Sequence, residues 1–345
     1  MKERAIRRGT VDEDDQRDER AADRSPLLEV RNLVKRFPVR HGLTQRLAGH
    51  VAAVDGVSLT VGPGETLGLV GESGCGKSTV AKLITRLERP TSGSIHFAAR
   101  DLAGLNETAL RPLRRDLQMV FQDPFSSLNP RHTVRQILAG AYRYQGLEPD
   151  QPAEELLARV GLEAGHADRH PHEFSGGQAQ RIGIARALAL RPKLVVCDEP
   201  VSALDVSVQA QILNLLRDLQ DEYGLSYLFI AHDLGAVRQI STRIAVMYLG
   251  SVVETADRDT LFAQPAHPYT HALLSAVPLP DPDLEASRER IVLHGDLPSP
   301  LDPPSGCRFR TRCLKADELC AAERPQLRTI ALGQQVACHY PERTP

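Results

Sequence analysis

Thr66-Leu-Gly-Leu-Val70, followed at once by Gly71-Glu-Ser-Gly-Cys-Gly-Lys77-Ser78, is the stretch on which the fold turns. The first five residues are a short apolar run closing on glycine, the pattern of a parallel strand buried on both faces. The next eight fit GxxxxGK[ST]. A helix is expected from Lys77 to about Arg86. Strand, glycine loop and helix N-terminus together cradle phosphate: the glycines let backbone N–H groups turn inward, and the helix dipole favours negative charge. Lys77 is placed to reach β- and γ-phosphates, and Ser78 to bind Mg²⁺. Gly71, Glu72, Ser73, Gly74, Cys75, Gly76 and Thr79 complete the candidate nucleotide contacts of this loop. A chance glycine-rich turn is the bland alternative, and the flanking strand and helix argue against it.

Further along, KLVVCDE (193–199) is a second buried strand, and it ends in Asp198 and Glu199. Carboxylates at a strand's C-terminal end face the ligand crevice of a parallel sheet. Asp198 is expected to hold Mg²⁺, and Glu199 to polarise the attacking water as general base. LSYLFIAHD (225–233) and IAVMYLG (244–250) read as further strands, and Val208, Ile212, Leu215, Leu216 and Leu219 fall at helical spacing within 205–222. Residues 27–34 and 51–61 show strand spacing, with HGLTQRLAGH between them read as a polar, basic loop. Residues 126–190 are mainly helical in pattern. Alternating strands and helices predict an α/β fold, a parallel sheet with helices on both faces.

Bulk composition narrows the function. Lys and Arg number 42 against 44 Asp and Glu, so no global charge attracts nucleic acid. The absence of Trp argues against a base-stacking surface. No apolar run reaches the ~18 residues that span a bilayer, and no apolar segment follows the basic N-terminal residues. The chain is therefore expected on the cytoplasmic side of the membrane, reaching it through a partner. Residues 1–24 are charged and nearly devoid of apolar side chains, and are expected to be a disordered tail. Beyond about residue 264 proline becomes frequent, as in PLPDPD (278–283) and LPSPLDPPSG (297–306). The expected division is 25–263 as one domain, with a helical subdomain at about 126–188, and 264–345 as a small C-terminal module.

Phe174-Ser175-Gly176-Gly177-Gln178 adds a second phosphate-binding pattern, a serine N-cap with two glycines and free backbone donors. One subunit already surrounds its phosphates with the first loop, so this one is expected to serve the nucleotide of a partner subunit. With these motifs in order, the sequence resembles the ABC ATPase family. The resemblance implies a RecA-like P-loop nucleotide-binding domain with an antiparallel β subdomain and a helical subdomain. It implies two cassettes sandwiching two ATP molecules head to tail. Gln122 in MVFQDP matches the Q-loop glutamine, with contacts to Mg²⁺ and water. Asp205 in SALD matches the D-loop, His232 in FIAHD the switch histidine, and Phe37 in VKRFPV the aromatic that stacks on adenine. Ser175, Gly176, Gly177, Gln178 and Asp205 would act in trans.

FQDPFSSLNPR (121–131), HPYTHALLSAVP (267–278) and GDLPSPLDPPSGCRFRTRC (295–313) look like the oligopeptide/dipeptide importer ATPases, in their F-type subunit. The resemblance covers about residues 27–340. It departs at Ala179, where an Arg usually follows the signature, and at Thr242, where Asp is usual. The implied partners are a second ATPase subunit (a heterodimer, with a homodimer as alternative), two membrane permeases and, indirectly, an external peptide-binding protein. The implied activity is ATP hydrolysis that drives peptide import. The same engine serving nickel or glutathione is the alternative. A non-transport ABC ATPase ranks lower, since translation factors usually carry two cassettes in one chain. DNA-repair ATPases place long coiled coils between the phosphate loop and the Asp-Glu strand, where this chain has room only for a compact helical block.

Four of the six cysteines crowd the C-terminal end as Cys307-x5-Cys313-x6-Cys320-x17-Cys338. Four thiolates suit a cubane iron–sulphur cluster or a tetrahedral zinc ion. In similar peptide-importer subunits this region is associated with a [4Fe–4S] cluster. That is the leading expectation, with zinc second and plain reduced thiols third.

Overall fold

The computed structural model describes residues 25–41, 46–277, 291–293 and 295–342. The tail at 1–24 and the proline run at 278–283 lie outside the described residues. The described strands are β1 (Leu28–His41), β2 (Arg46–Val61), β3 (Thr66–Val70), β4 (Ser92–Phe97), β5 (Arg100–Asp101), β6 (Leu117–Val120), β7 (Leu194–Asp198), β8 (Ser226–Ile230), β9 (Arg243–Tyr248), β10 (Ser251–Asp257), β11 (Arg328–Ala331) and β12 (Gln334–Val336). They form two sheets. One is antiparallel, in the order β2-β1-β4-β5, and the other runs β11-β12-β10-β9-β3-β8-β7-β6.

The centre of the larger sheet follows from its apolar runs. Strands β6, β7, β8, β3 and β9 pair in parallel. Every residue of β3, β7 and β8 is buried, because helices cover both faces. The period-2 alternation divides these strands between two cores. Val195, Cys197, Tyr227 and Phe229 join one cluster, while Leu194, Val196, Leu228 and Ile230 join the other. The helix that follows β3 spans Lys77–Ile84, and the helix read at 205–222 spans Val206–Tyr223. Helices at Pro124–Ser127, Val134–Gln145, Ala153–Arg159 and Gly176–Leu188 lie between β6 and β7. Thr133 and Gln136 form a capping box at the start of the second of these, and Gly146 closes it in the left-handed region.

Two expectations need correction. The polar run 41–50 is not simply a loop: β1 continues to His41 and β2 resumes at Arg46, with pairs such as Pro38↔His50 and Val39↔Gly49. A ladder is held by its backbone hydrogen bonds, so polar side chains do not end it. The larger sheet is not all parallel either. Strands β10, β12 and β11 add an antiparallel edge. Ala179, where the resemblance departs, is fully buried in the helix Gly176–Leu188.

The C-terminal segment contributes to this sheet. β12 pairs with β10 at Glu254↔Val336, so the last hairpin extends the sheet that carries the phosphate loop. Glu254 stitches the join. Its fully buried carboxylate accepts from the Ala266 and His267 N–H groups, each at 2.8 Å, and from Gln334 Nε2 at 3.0 Å. A buried carboxylate is tolerable when its lone pairs are satisfied in this way. Above it, Phe309 packs against Tyr248, Tyr269 and His267, with ring centroids 5.3–5.6 Å away.

Candidate nucleotide site

The loop after β3 owes its shape to two glycines. A Cβ at Gly71 would stand 2.1 Å from Met247 O, and one at Gly76 would stand 2.1 Å from Ala53 O. Gly76 also takes φ 107° as it caps the helix Lys77–Ile84. Neighbouring backbone therefore closes on the loop from both sides. Lys77 is buried and lies back along the loop, with Nζ donating to Gly71 O at 2.7 Å and Glu72 O at 3.0 Å. The Ser78 hydroxyl donates to Asp198 Oδ1 at 2.9 Å. Asp198 ends β7. Burial holds its carboxyl above the usual range, against the opposing hydrogen bond from Ser78.

Glu199 follows with φ 46°, a left-handed conformation that costs a side-chain-bearing residue energy. Its N–H donates to Ile230 O at 2.9 Å, which fixes it to the end of β8. The turn aims its carboxylate into a gathering point. Gln122 Nε2 donates to Glu199 Oε2 at 3.0 Å, and His232 Nδ1 lies 3.3 Å from the same oxygen. Gln122 follows β6 and His232 follows β8, so three strand ends converge on one carboxylate oxygen. A cleft of about 230 Å³ opens beside it, lined by residues 73–79, Gln122, Glu199, Ala52–Ala53 and Leu249. The lysine, the Ser78–Asp198 oxygen pair and the buried carboxylate offer phosphate binding, divalent-ion ligation and proton acceptance at one place.

Other sequence-derived residues lie elsewhere. Phe37 pairs with Val51, which lines the cleft, but its own ring is outside the lining and has Lys35 Nζ 4.8 Å from its centroid. Ser175 caps the helix Gly176–Leu188 in a capping box: Gln178 N–H donates to Ser175 Oγ at 3.3 Å, and Ser175 N–H to Gln178 Oε1 at 3.0 Å. Asp205 caps the helix Val206–Tyr223, accepting from Val208 N–H at 3.0 Å. The two caps abut, since a Cβ on Gly177 would meet Val208 Cγ1 at 2.5 Å and one on Gly176 would lie 3.5 Å from Leu204. Ser175, Gly176, Gly177, Gln178 and Asp205 line no part of the chain's own cleft.

The cysteines do not form a ligand set here. Cys307 N–H donates to Cys320 O at 2.8 Å. Burial, with lesser effects from neighbouring thiols, pushes the Cys307 and Cys313 thiols up, and Cys338 up to about 11. Among the described residues, no group of three or more His, Cys, Asp or Glu side chains is placed to hold a metal ion. The iron–sulphur and zinc expectations gain no support from this geometry.

Sequence reading missed residues that touch the loop from the C-terminal side. Glu72 N–H donates to Tyr269 Oη at 2.9 Å, and Arg312 Nη1 pairs with both oxygens of the Glu72 carboxylate at 2.8 and 3.0 Å. The run GCRFRTRC was visible, but only its cysteines were read for chemistry.

The family model for ABC transporters matches residues 54–202, and that for the C-terminal region of oligopeptide/dipeptide transporters matches 253–320. The dimeric structure of MJ0796, a bacterial ABC transporter cassette, superposes with TM-score 0.60 and 28% identity over 67% of this chain and 98% of that one. The same cassette in a post-hydrolysis dimer with ADP and Pi gives 0.58 and 28%, with the same coverage. The oligopeptide transport ATP-binding protein AppF of Bacillus subtilis is 54% identical over 324 residues, 92% of this chain and 98% of the relative. OppF of Salmonella typhimurium, also an oligopeptide transport ATP-binding protein, is 52% identical over 311 residues, 88% and 93%. The chain belongs to the ABC transporter family, among its oligopeptide transport ATP-binding proteins.

Proposed function

We propose that this chain is the ATP-hydrolysing subunit that drives import of di- and oligopeptides by an ABC transporter at the cytoplasmic face of the membrane. Relatives named for oligopeptide transport, together with the C-terminal match, favour peptides over nickel or glutathione. No described helix is long and apolar enough to cross a membrane, so membrane permease subunits would supply the path. A second ATPase subunit and an external peptide-binding protein complete the proposed assembly.

The observation that carries the reading is the convergence of Gln122 and His232 on Glu199 Oε2, beside Lys77 and the Ser78–Asp198 pair. Lys77 and backbone N–H groups from within 73–79 bind the phosphates of ATP. Ser78 and Asp198 fit a divalent ion, since a hydroxyl and a carboxylate oxygen stand 2.9 Å apart at the strand end, and Gln122 would join them on releasing Glu199. Bound Mg²⁺ would neutralise charge on the phosphates. Glu199 accepts a proton from the attacking water, and His232 orients that carboxylate. Phe37 stacks on adenine once the β1–β2 hairpin moves toward the cleft. Ser175–Gln178 and Asp205 close over the nucleotide of the partner subunit, a role supported by their lining no part of the chain's own cleft. For the four cysteines, iron, acid-labile sulphide and zinc measured after anaerobic purification decide the matter, and absence of all three removes both metal readings.

Glu199→Gln tests the site. In the assembled transporter it is expected to keep ATP binding, lose hydrolysis and accumulate the closed ATPase dimer. Hydrolysis at the wild-type rate would refute the general-base assignment.

A further inference from the structure

Glu72 joins two parts of the molecule that lie far apart in sequence. It is the second residue of the phosphate loop, and each of its polar groups is engaged. Its carbonyl accepts from Lys77 Nζ at 3.0 Å and from Cys75 N–H at 3.2 Å. Its N–H donates to the hydroxyl of Tyr269, a fully buried residue on the helix Pro268–Ser275. Its carboxylate takes two contacts from Arg312, whose side chain is only 10% exposed. One bond therefore leads inward to the lysine, and three lead outward to Tyr269 and Arg312.

A second tie holds the opposite side of the loop. The Asp55 carboxylate pairs with Arg308, and with Arg324 at 2.7 Å. Asp55 N–H donates to Gly250 O at 2.8 Å, and Gly250 N–H donates to Cys75 O at 2.9 Å. Between Arg308 and Arg312, Phe309 is buried against Tyr248 and Tyr269, so the short run carrying both arginines is seated in the core. These contacts fix the backbone direction of the loop before the ligand arrives.

We infer that Arg312 is a positioning residue for nucleotide binding. By holding Glu72, it fixes the loop backbone that presents Lys77 and the N–H groups to phosphate, so the C-terminal segment sets the affinity for ATP. The inference deepens the ATP-binding reading above and rests on it. An ion pair partly withdrawn from water is expected to matter here, because removing one partner leaves the other charge poorly solvated and the loop free to relax.

The test uses the full chain carrying Glu199→Gln to stop turnover, with Mg·ATP binding followed by calorimetry and folding by thermal melting. Arg312→Gln is expected to raise the Kd about tenfold, equivalent to about 1.4 kcal/mol. Glu72→Gln should match it, and the double variant should be no worse than either single one. Arg312→Lys, which keeps a point charge, should recover to within about threefold of the parent. A purely structural arginine would lower the melting temperature while the folded protein kept its parental Kd. That result, or additive losses in the double variant, overturns the inference. Lys77→Ala separates the two levels. If Lys77→Ala loses binding while Arg312→Gln keeps it, only the positioning role fails. If the parent does not bind Mg·ATP, the ATP-binding reading falls and the inference falls with it.

Discussion

The phosphate loop and the segment Cys307–Cys313 meet at Glu72, yet they are built by opposite means. The loop is eight contiguous residues whose work is done by backbone: glycines permit close approach, and a helix N-terminus supplies donors. The C-terminal segment works through long side chains. Arg308 reaches Asp55, 253 positions earlier in the chain, and Arg312 reaches Glu72, 240 positions earlier. A backbone device must be written contiguously and leaves a motif. A side-chain tie needs only one residue at each end, and either end alone is an ordinary surface charge.

That contrast is most sharply broken by Lys77→Ala. The ammonium is the charged group aimed along the loop, so its loss should cost at least about a hundredfold in Mg·ATP affinity. Retention of affinity within a few-fold, measured by equilibrium binding, would mean that the loop does not hold phosphate. Next comes Glu254→Ala, which attacks the join between sheet and C-terminal segment. It strands two buried N–H groups and the Gln334 amide, and should cost about 3 kcal/mol in urea unfolding. A loss below about 1 kcal/mol would show that the join contributes little.

A pH dependence acts at the same join. Burial, helped by the nearby His271, lowers the His267 pKa from 6.5 to about 3. Its ring Nδ1 accepts from Tyr269 N–H at 3.0 Å, its own N–H is held by Glu254, and Phe309 packs beside it. The unfolded ring takes up a proton below pH 6.5 while the folded one stays neutral. Its contribution is therefore complete above that pH and falls by about 1.4 kcal/mol per unit as pH drops toward 3. Urea midpoints from pH 7 to 4.5 should fall less steeply for His267→Asn than for the parent. Parallel profiles would place the titration elsewhere.

How much could be read in advance varied with the length scale of each feature. Strands β3, β7 and β8 were legible because burial on both faces demands unbroken apolar runs. The Ser175 cap was legible because a serine N-cap followed by two glycines is a local pattern, and the structure adds Gln178 as its capping-box partner. β10 was missed because its interior includes Glu254, a residue tolerated in a buried strand only for its three donors. β4, β5, β11 and β12 were missed because short, half-exposed strands depend on their partners for stability. The extended β1–β2 hairpin was missed because polar side chains conceal a ladder made by the backbone.

Within the cleft, the types of the chemical groups follow from the order of motifs along the chain. Glycine loop, Asp-Glu strand end and Ser-Gly-Gly cap are local patterns, each fixed by backbone constraints that act over a few residues. Their convergence is a property of the folded chain alone. Parallel pairing of β6, β7 and β8 brings the ends of three strands together, so Gln122 and His232 share one oxygen of Glu199. The bracing of the loop by Tyr269, Arg308, Arg312 and Arg324 arises in the same way. Contacts across such separations depend on the register and packing of whole sheets, which no short window of sequence contains.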